Sequence, residues 1–494
     1  MAANTTPAPF DMPLPFGIDA DTGKVLDPVT PEAIKWLSGA VADEAKSPES
    51  TKSVLESRAD PSALAFAVSG DCDANDLSQV GWGVIFPANA QPGVKEALKP
   101  LLDLRQKQVT AGSTAPFKIY EGAEGYQPGM TARQWLASKN VSLNIVDPAL
   151  GVPYYLVLVG TPAEIPFEFQ YQLDIFWAVG RLQFPTVDEY AQYAKSVVAY
   201  ESAAEVPNRR QIAVFAPQHD FDKATQMFNS MVAAPLVKGS PPWGPIGQRQ
   251  KFGIVSYLAE DAKKKALADI LRGSAGGGPP ALLLSGSHGM SFRADDARQA
   301  SMQGAVVCSD WDGSASISEK HWFAAQDVPA DAKLQGLIHF FFACFGAGCP
   351  QFDNFNRMAA APKQIAPQTM LSRLPQAMLA QKNGGALATL AHVDRAWAYS
   401  FVSDRGGAQL QGFRDVIGRM LRGDRVGQAT DQFNVRWAAL STELSDSLQD
   451  RQLGRPVSDA ELASRWVARD DARNYIIFGD PAVRLRVEDM PELK

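Results

Sequence analysis

Leu337-Ile338-His339-Phe340-Phe341-Phe342-Ala343 is a run too apolar to keep a wet face. A segment of that length suits a strand covered on both sides, the condition of a parallel sheet packed between helices. It ends at Cys344-Phe345-Gly346-Ala347-Gly348. Three other runs read the same way. Ala281-Leu282-Leu283-Leu284 leads into Ser285-Gly286-Ser287-His288-Gly289, Tyr154–Val159 stops at Gly160-Thr161-Pro162, and Ala386–Ala391 stops at His392. Phe176–Leu182, Gln211–Ala216, Ile254–Leu258 and Tyr475–Phe478 are further strand candidates. Helical spacing fills the intervals at Val94–Gln106, Glu189–Ser202, Phe221–Ala233, Ala259–Arg272, Leu374–Lys382, Ala408–Leu421, Val426–Gln449 and Asp459–Asp471. Strands alternating with helices imply right-handed crossovers and an α/β fold, a mostly parallel sheet with helices on both faces. Ligands of such sheets collect beyond the carboxyl ends of the strands. His288 and Cys344 both fall there.

The amino-terminal part is less regular. Residues 1 to about 30 are rich in Pro, Ala and Thr and read as an extended, loosely packed arm. A helix is expected at Pro31–Ala45, and short apolar alternations at Ala63–Val68 and Gly81–Phe86. The expected division is an N-terminal region of unassigned fold with an expected regulatory role (1–115), a non-catalytic α/β subdomain (116–205) and a catalytic domain (206–494).

Composition excludes several classes. A net charge of −7 with no dense Lys/Arg block argues against nucleic acid. No apolar stretch is long enough for a bilayer, and Met1–Gly23 lacks a basic region followed by an apolar core, so no membrane and no signal peptide are expected. Four cysteines in 494 residues (Cys72, Cys308, Cys344, Cys349) do not form a disulfide framework, and the expected location is the cytoplasm, with reduced thiols. No cofactor is implied. The spacing of His288, His321, Cys308, Cys344 and Cys349 matches no metal motif.

A thiol and an imidazole at one sheet edge are the parts of a nucleophilic site: thiolate, proton-transferring base, and backbone N–H donors for an oxyanion. Cys344 supplies the first and His288 the second, with Gly289 leaving room for a carbonyl to approach the backbone. A lone cysteine at a strand end is usually inert core. It is the pairing that carries the reading.

Ala343-Cys344-Phe345-Gly346 and Ser287-His288-Gly289 resemble the Cys and His motifs of caspase-type cysteine peptidases. Their separation of 56 positions (288 to 344) is close to the family's spacing of about 50. Tyr475–Leu485, containing Gly479-Asp480-Pro481, resembles the carboxyl-terminal signature of gingipain-like and CHAT-type members, and Tyr155–Glu201 is similar to the subdomain preceding the gingipain catalytic unit. The resemblance covers roughly Pro153 to Arg486. It implies a cysteine endopeptidase with a caspase-like sheet, His288 as acid/base, Cys344 as nucleophile, and Gly289 with the Cys344 N–H as oxyanion donors. It implies a protein substrate and a regulated bacterial enzyme of the kind found in defence systems, whose N-terminal region gates it or docks a regulatory protein. By the same resemblance Trp397 lines a pocket for the residue preceding the cleaved one. Asp394 either meets a substrate Arg or Lys or merely pairs with Arg395 or caps a turn. Asp220 and Asp222 are the other acidic candidates, and each could equally begin the following helix. Phe342-Ala343 replaces the acid that basic-specific members often carry before the cysteine. His339, on the strand face opposite Cys344, is expected to be a hydrogen-bonded core residue. The rival readings are a catalytically silent caspase-like scaffold that binds protein partners, and a hydrolase of small thioesters or amides.

Overall fold

The computed structural model describes residues 14–29, 68–112, 115–314, 316–355, 363–402 and 407–492. The helix expected at Pro31–Ala45 lies outside them, as does most of the Ala63–Val68 alternation. Ten strands make the main sheet: β1 (Trp82–Ile85), β2 (Phe117–Tyr120), β3 (Tyr155–Val159), β4 (Ala178–Leu182), β5 (Arg209–Ala216), β6 (Gly253–Leu258), β7 (Pro280–Gly286), β8 (Ile338–Phe342), β9 (Ala388–His392) and β10 (Tyr475–Gly479). Across the sheet their order is β2-β1-β3-β4-β10-β9-β8-β7-β5-β6. Every neighbouring pair is parallel except β9 with β10. The architecture is therefore α/β, a parallel-rich sheet flanked by helices, built as two parallel halves that meet antiparallel at β9 and β10. Strands β3, β7, β8, β9 and β10 are buried along their whole length, as their unbroken apolar runs require.

The expected division places one boundary at residue 115. It falls between β1 and β2, which pair directly and are joined by the helix Val94–Thr110 as one parallel crossover. Residues from Leu77 onward thus belong with the half sheet that carries β3 and β4. The last strand also crosses the expected boundary, since β10 pairs with β4 on one side and β9 on the other.

The Gly-Asp-Pro segment holds this seam. A β-carbon at Gly180 would lie 2.2 Å from the Gly479 carbonyl oxygen, so β4 and β10 can approach only with glycine there. Asp480 is fully buried and accepts from Arg105 Nε at 2.7 Å, Trp82 Nε1 at 3.0 Å and the Ala482 N–H at 2.9 Å. Arg105 turns its other two nitrogens to Glu201, each at 2.7 Å. Arg181, also buried, donates to Gln170, Gly160 and Ile165 and so closes the turns beyond β3.

The expectation of a loosely packed arm is corrected for residues 14–29, and residues 1–13 lie outside the described residues. Phe16 and Ile18 are fully buried, and Gly17–Asp19 forms a parallel strand with Gly289–Ser291.

Removing one partner of a buried ion pair strands the other. Asp480→Ala is expected to lower the free energy of unfolding by about 3–5 kcal/mol in urea titration. Glu121→Gln, which breaks the exposed Lys95 pair, should change it by less than about 1 kcal/mol.

Candidate active site

Strands β7 and β8 pair in register from Leu282 with Ile338 to Gly286 with Phe342, and the Ser287 N–H continues the ladder to the Phe342 carbonyl at 3.1 Å. The next residues on each side are His288-Gly289 and Ala343-Cys344, so one pair of adjacent parallel strands delivers both motifs to one edge. The approach is very close. A β-carbon at Gly289 would lie 2.0 Å from the Cys344 carbonyl oxygen. Beyond the cysteine, Phe345 takes a left-handed conformation (φ +57°), which costs a residue with a β-carbon and needs outside support. The Phe345 N–H donates to the Asp394 carbonyl and the Ala347 N–H to that of His392, both at 2.7 Å.

His288 is held by Asp222. Nε2 lies 2.7 Å from the carboxylate, which also accepts from the N–H groups of Ala224 (3.1 Å) and Thr225 (2.9 Å) and from the Thr225 hydroxyl (2.8 Å). Burial opposes the charge on Asp222, but the imidazole and these donors outweigh it and hold the carboxyl well below its usual range. A carboxylate can only accept, so Nε2 carries the proton in this bond and Nδ1 is the other ring nitrogen. That Nδ1 is buried, with no hydrogen-bond partner among the described residues. Asp222 was one of two acidic candidates in the sequence; the structure gives it this orienting position and leaves Asp220 exposed, its carbonyl accepting from Gln226.

Two backbone donors converge beside the thiol. The N–H groups of Gly289 and Cys344 both donate to the carbonyl oxygen of Phe16, each at 2.9 Å. The Phe16 N–H donates to the Ala396 carbonyl at 2.9 Å, the Ala398 N–H donates to the Leu14 carbonyl at 3.3 Å, and Pro15 bridges Trp397 antiparallel. The Cys344 sulfur accepts from the Ala396 N–H at 3.3 Å, and a β-carbon at Gly17 would lie 3.1 Å from it. The Phe16 ring sits among Phe342 (centroids 4.8 Å apart), His288 (5.8 Å), Phe401 (5.8 Å) and Phe228 (6.1 Å). Phe228 reaches this place over Gly286, where a β-carbon would come within 2.0 Å of its ring. With residues 14–17 in place, Cys344 and His288 have no exposed surface, and burial pushes the thiol well above its ordinary range.

The other candidates stand apart from the Phe16 ring. Asp394 is buried and left-handed (φ +67°), and accepts from Asn354 Nδ2 at 3.0 Å and from the Arg395 N–H at 2.8 Å. Burial, then the Asp353 charge, push its carboxyl up to about 7. Of the two readings left open for it, the local one describes its contacts, while the Arg395 side chain pairs with Asp353 at 2.7 Å. Trp397 is fully buried against Phe355, and its backbone is the part that meets the amino-terminal segment. Its N–H donates to Asp471, which also takes the Ser400 hydroxyl and contacts His392, so one buried carboxylate orders this edge. His339 bonds Ser285 at 2.7 Å and stacks on Phe341. The Cys349 sulfur accepts from Gln303. Among the described residues no group of three His, Cys, Asp or Glu side chains could hold a metal ion. Sequence reasoning missed Phe16 altogether. The available signal was an apolar ring between Pro15 and Gly17 in an arm rich in Pro, Ala and Thr.

No protein-family model matches the chain, and no curated protein does. Among solved structures, the chain is similar to one described as "Structure of Protease" (TM-score 0.48, 13% identity, 84% of this chain and 79% of that one). It is likewise similar to the Arg specific cysteine proteinase gingipain R (TM-score 0.47, 14% identity, 83% and 79%). A third is the complex of the Porphyromonas gingivalis RgpB pro- and mature domains (TM-score 0.45, 12% identity, 82% and 80%).

Burial holds His339 neutral in the fold, its pKa falling from 6.5 to about 3, and His219 likewise falls to about 4. At these two histidines the unfolded chain therefore binds more protons than the folded one below pH 6.5, while Asp394, raised to about 7, binds a proton in the fold before the unfolded chain does and works in the opposite sense. The histidines' contribution is full above pH 6.5 and is lost on acidification, by about 1.4 kcal/mol per pH unit for each. Urea titrations of the wild type and His339→Gln between pH 7 and pH 5 should differ in slope by about 1.4 kcal/mol per pH unit, the variant losing less stability on acidification.

Proposed function

We propose that the chain is a cysteine endopeptidase with Cys344 as nucleophile, His288 as acid/base and Asp222 as the residue that positions the imidazole. The observation that carries this is the meeting of two N–H groups, from Gly289 and Cys344, on one carbonyl oxygen at 2.9 Å each, beside a thiol and a carboxylate-bound imidazole. Oriented donors of this kind act on the charge that develops as a carbonyl becomes tetrahedral.

In the reaction, a substrate peptide lies along Ala396–Ala398 in the antiparallel manner, which adds backbone hydrogen bonds at an existing edge. Its scissile oxygen enters the pocket made by the two N–H groups. The thiol proton moves to Nδ1 of His288 as sulfur attacks the carbonyl carbon. Asp222 stabilises the imidazolium that forms and keeps Nδ1 turned inward. His288 then protonates the leaving amine, and water hydrolyses the thioester. A binding scaffold has no use for this combination, and a small-ester hydrolase none for an edge that ladders with a peptide backbone.

Cys344→Ala should abolish release of fluorescent fragments from a labelled protein such as casein. His288→Ala should lower kcat/KM by about 10²–10⁴-fold. Asp222→Asn should lower kcat, leave KM nearly unchanged, and alter the pH–rate profile, because its effect passes through the imidazole. Equal activity in the wild-type and Cys344→Ala chains would remove the proposal, and cleavage of thioesters but never of polypeptide would favour the small-molecule reading.

A further inference from the structure

The pocket that a substrate carbonyl would enter is filled by this chain's own backbone. Phe16 offers the two donors its main-chain carbonyl, the group a peptidase attacks, and not a side chain. Its N–H and the carbonyl of Leu14 ladder with Ala396 and Ala398, so the residues on the acyl side are held as an antiparallel strand. On the amine side, Gly17–Asp19 pairs with Gly289–Ser291, and the Gly17 carbonyl accepts from the Leu26 N–H at 2.9 Å. Both sides of the Phe16–Gly17 bond are thus fixed, with the sulfur beside it. A β-carbon at Gly17 would press on Leu26 Cδ1 at 2.5 Å and on the Cys344 sulfur at 3.1 Å, so any larger residue there must push the Leu26 side chain aside.

We propose that the Phe16–Gly17 bond is a self-cleavage site, and that the same aromatic cup gives the enzyme a preference for phenylalanine on the acyl side of the bonds it cuts. This rests on the cysteine-endopeptidase reading above. The cup is formed by Phe228, Phe342 and Phe401 with the edge of the His288 ring, and Phe228 and Phe342 stack on each other at 5.2 Å. An aromatic side chain gains contact with every wall. A guanidinium placed there would leave water for a lining of hydrocarbon rings.

The chemistry consumes one water. A carbon–sulfur bond forms between Phe16 and Cys344 as the thiol proton passes to His288. The bond to the Gly17 nitrogen breaks as His288 returns that proton to it. Water then displaces the sulfur, leaving a carboxylate on Phe16 and a restored thiol on Cys344. Gly17 stays anchored because Ile18 is buried in its strand against Met290, whereas Leu14–Phe16, the described part of the piece ending at Phe16, is held by its edge bonds to Ala396 and Ala398 and by the seating of the Phe16 ring. Its departure uncovers the sulfur and vacates the cup.

The test is intact-mass and amino-terminal sequencing of the purified full chain during incubation at neutral pH. It is paired with kinetics on acetyl-Leu-Pro-Phe and acetyl-Leu-Pro-Arg coumarin amides. The expected result is a new terminus at Gly17, absent in Cys344→Ala, kept in Phe16→Tyr and lost in Phe16→Asp, with melting curves checking that each variant is folded. The Phe peptide should be cut with a kcat/KM at least about tenfold above that of the Arg peptide. An uncut Phe16–Gly17 bond in a chain whose Cys344 cleaves casein or the Arg peptide would overturn this inference and leave the endopeptidase standing. If nothing is cut in a Cys344-dependent way, both fail.

Discussion

The candidate site depends on how closely two strand-end turns approach each other. Strands β7 and β8 run side by side in register, and at their carboxyl ends the backbone at Gly289 comes so near the Cys344 carbonyl that no side chain would fit between them. That contact sets two N–H groups on a common point. It also fixes where a carbonyl oxygen can sit, and from there the positions of the thiol, the imidazole and the edge at Ala396–Ala398 follow. The strain at Phe345, whose left-handed turn carries the chain away from the cysteine, is held by hydrogen bonds to Asp394 and His392. Asp394 therefore meets Phe345 through its backbone carbonyl, while its carboxyl group accepts from Asn354 and from the Arg395 N–H.

Two buried carboxylates keep the surroundings rigid. Asp471 reaches from the helix Asp459–Arg473 to the Trp397 N–H and the Ser400 hydroxyl, which stiffens the edge that the Leu14–Phe16 segment lies on. Asp480 ties β10 to the helix carrying Arg105 and to Trp82, so the seam where β10 joins the half sheet of β1 to β4 is closed by charge-assisted bonds. The carboxyl-terminal third thus returns across the molecule to brace both the seam and the site.

Much of this was legible in the sequence because burial on both faces leaves an unbroken apolar run, and the runs ending at His288 and Cys344 are of that kind. The pairing of the two motifs followed from adjacency of crossover strands. What stayed hidden depends on contacts between distant segments. Asp222 and Asp220 are indistinguishable by composition, and only the fold turns one toward the imidazole and the other toward solvent. The arm around Phe16 looked loose because Pro, Gly and small residues signal a missing local structure, yet its backbone finds partners at Gly289, Cys344 and Ala396. Strand β1 showed as the short apolar alternation Gly81–Phe86, but its partners follow only from the crossover that places it beside β3.

The central claim is that the N–H groups of residues 289 and 344 converge on one backbone carbonyl. A crystal structure of the full chain carrying Cys344→Ala tests it most directly. The account predicts the Phe16 oxygen within about 3.2 Å of both nitrogens, with the Phe16 ring seated between Phe342 and Phe401. Donors that point apart, or a Leu14–Gly17 segment found elsewhere with the aromatic cup empty, would contradict it.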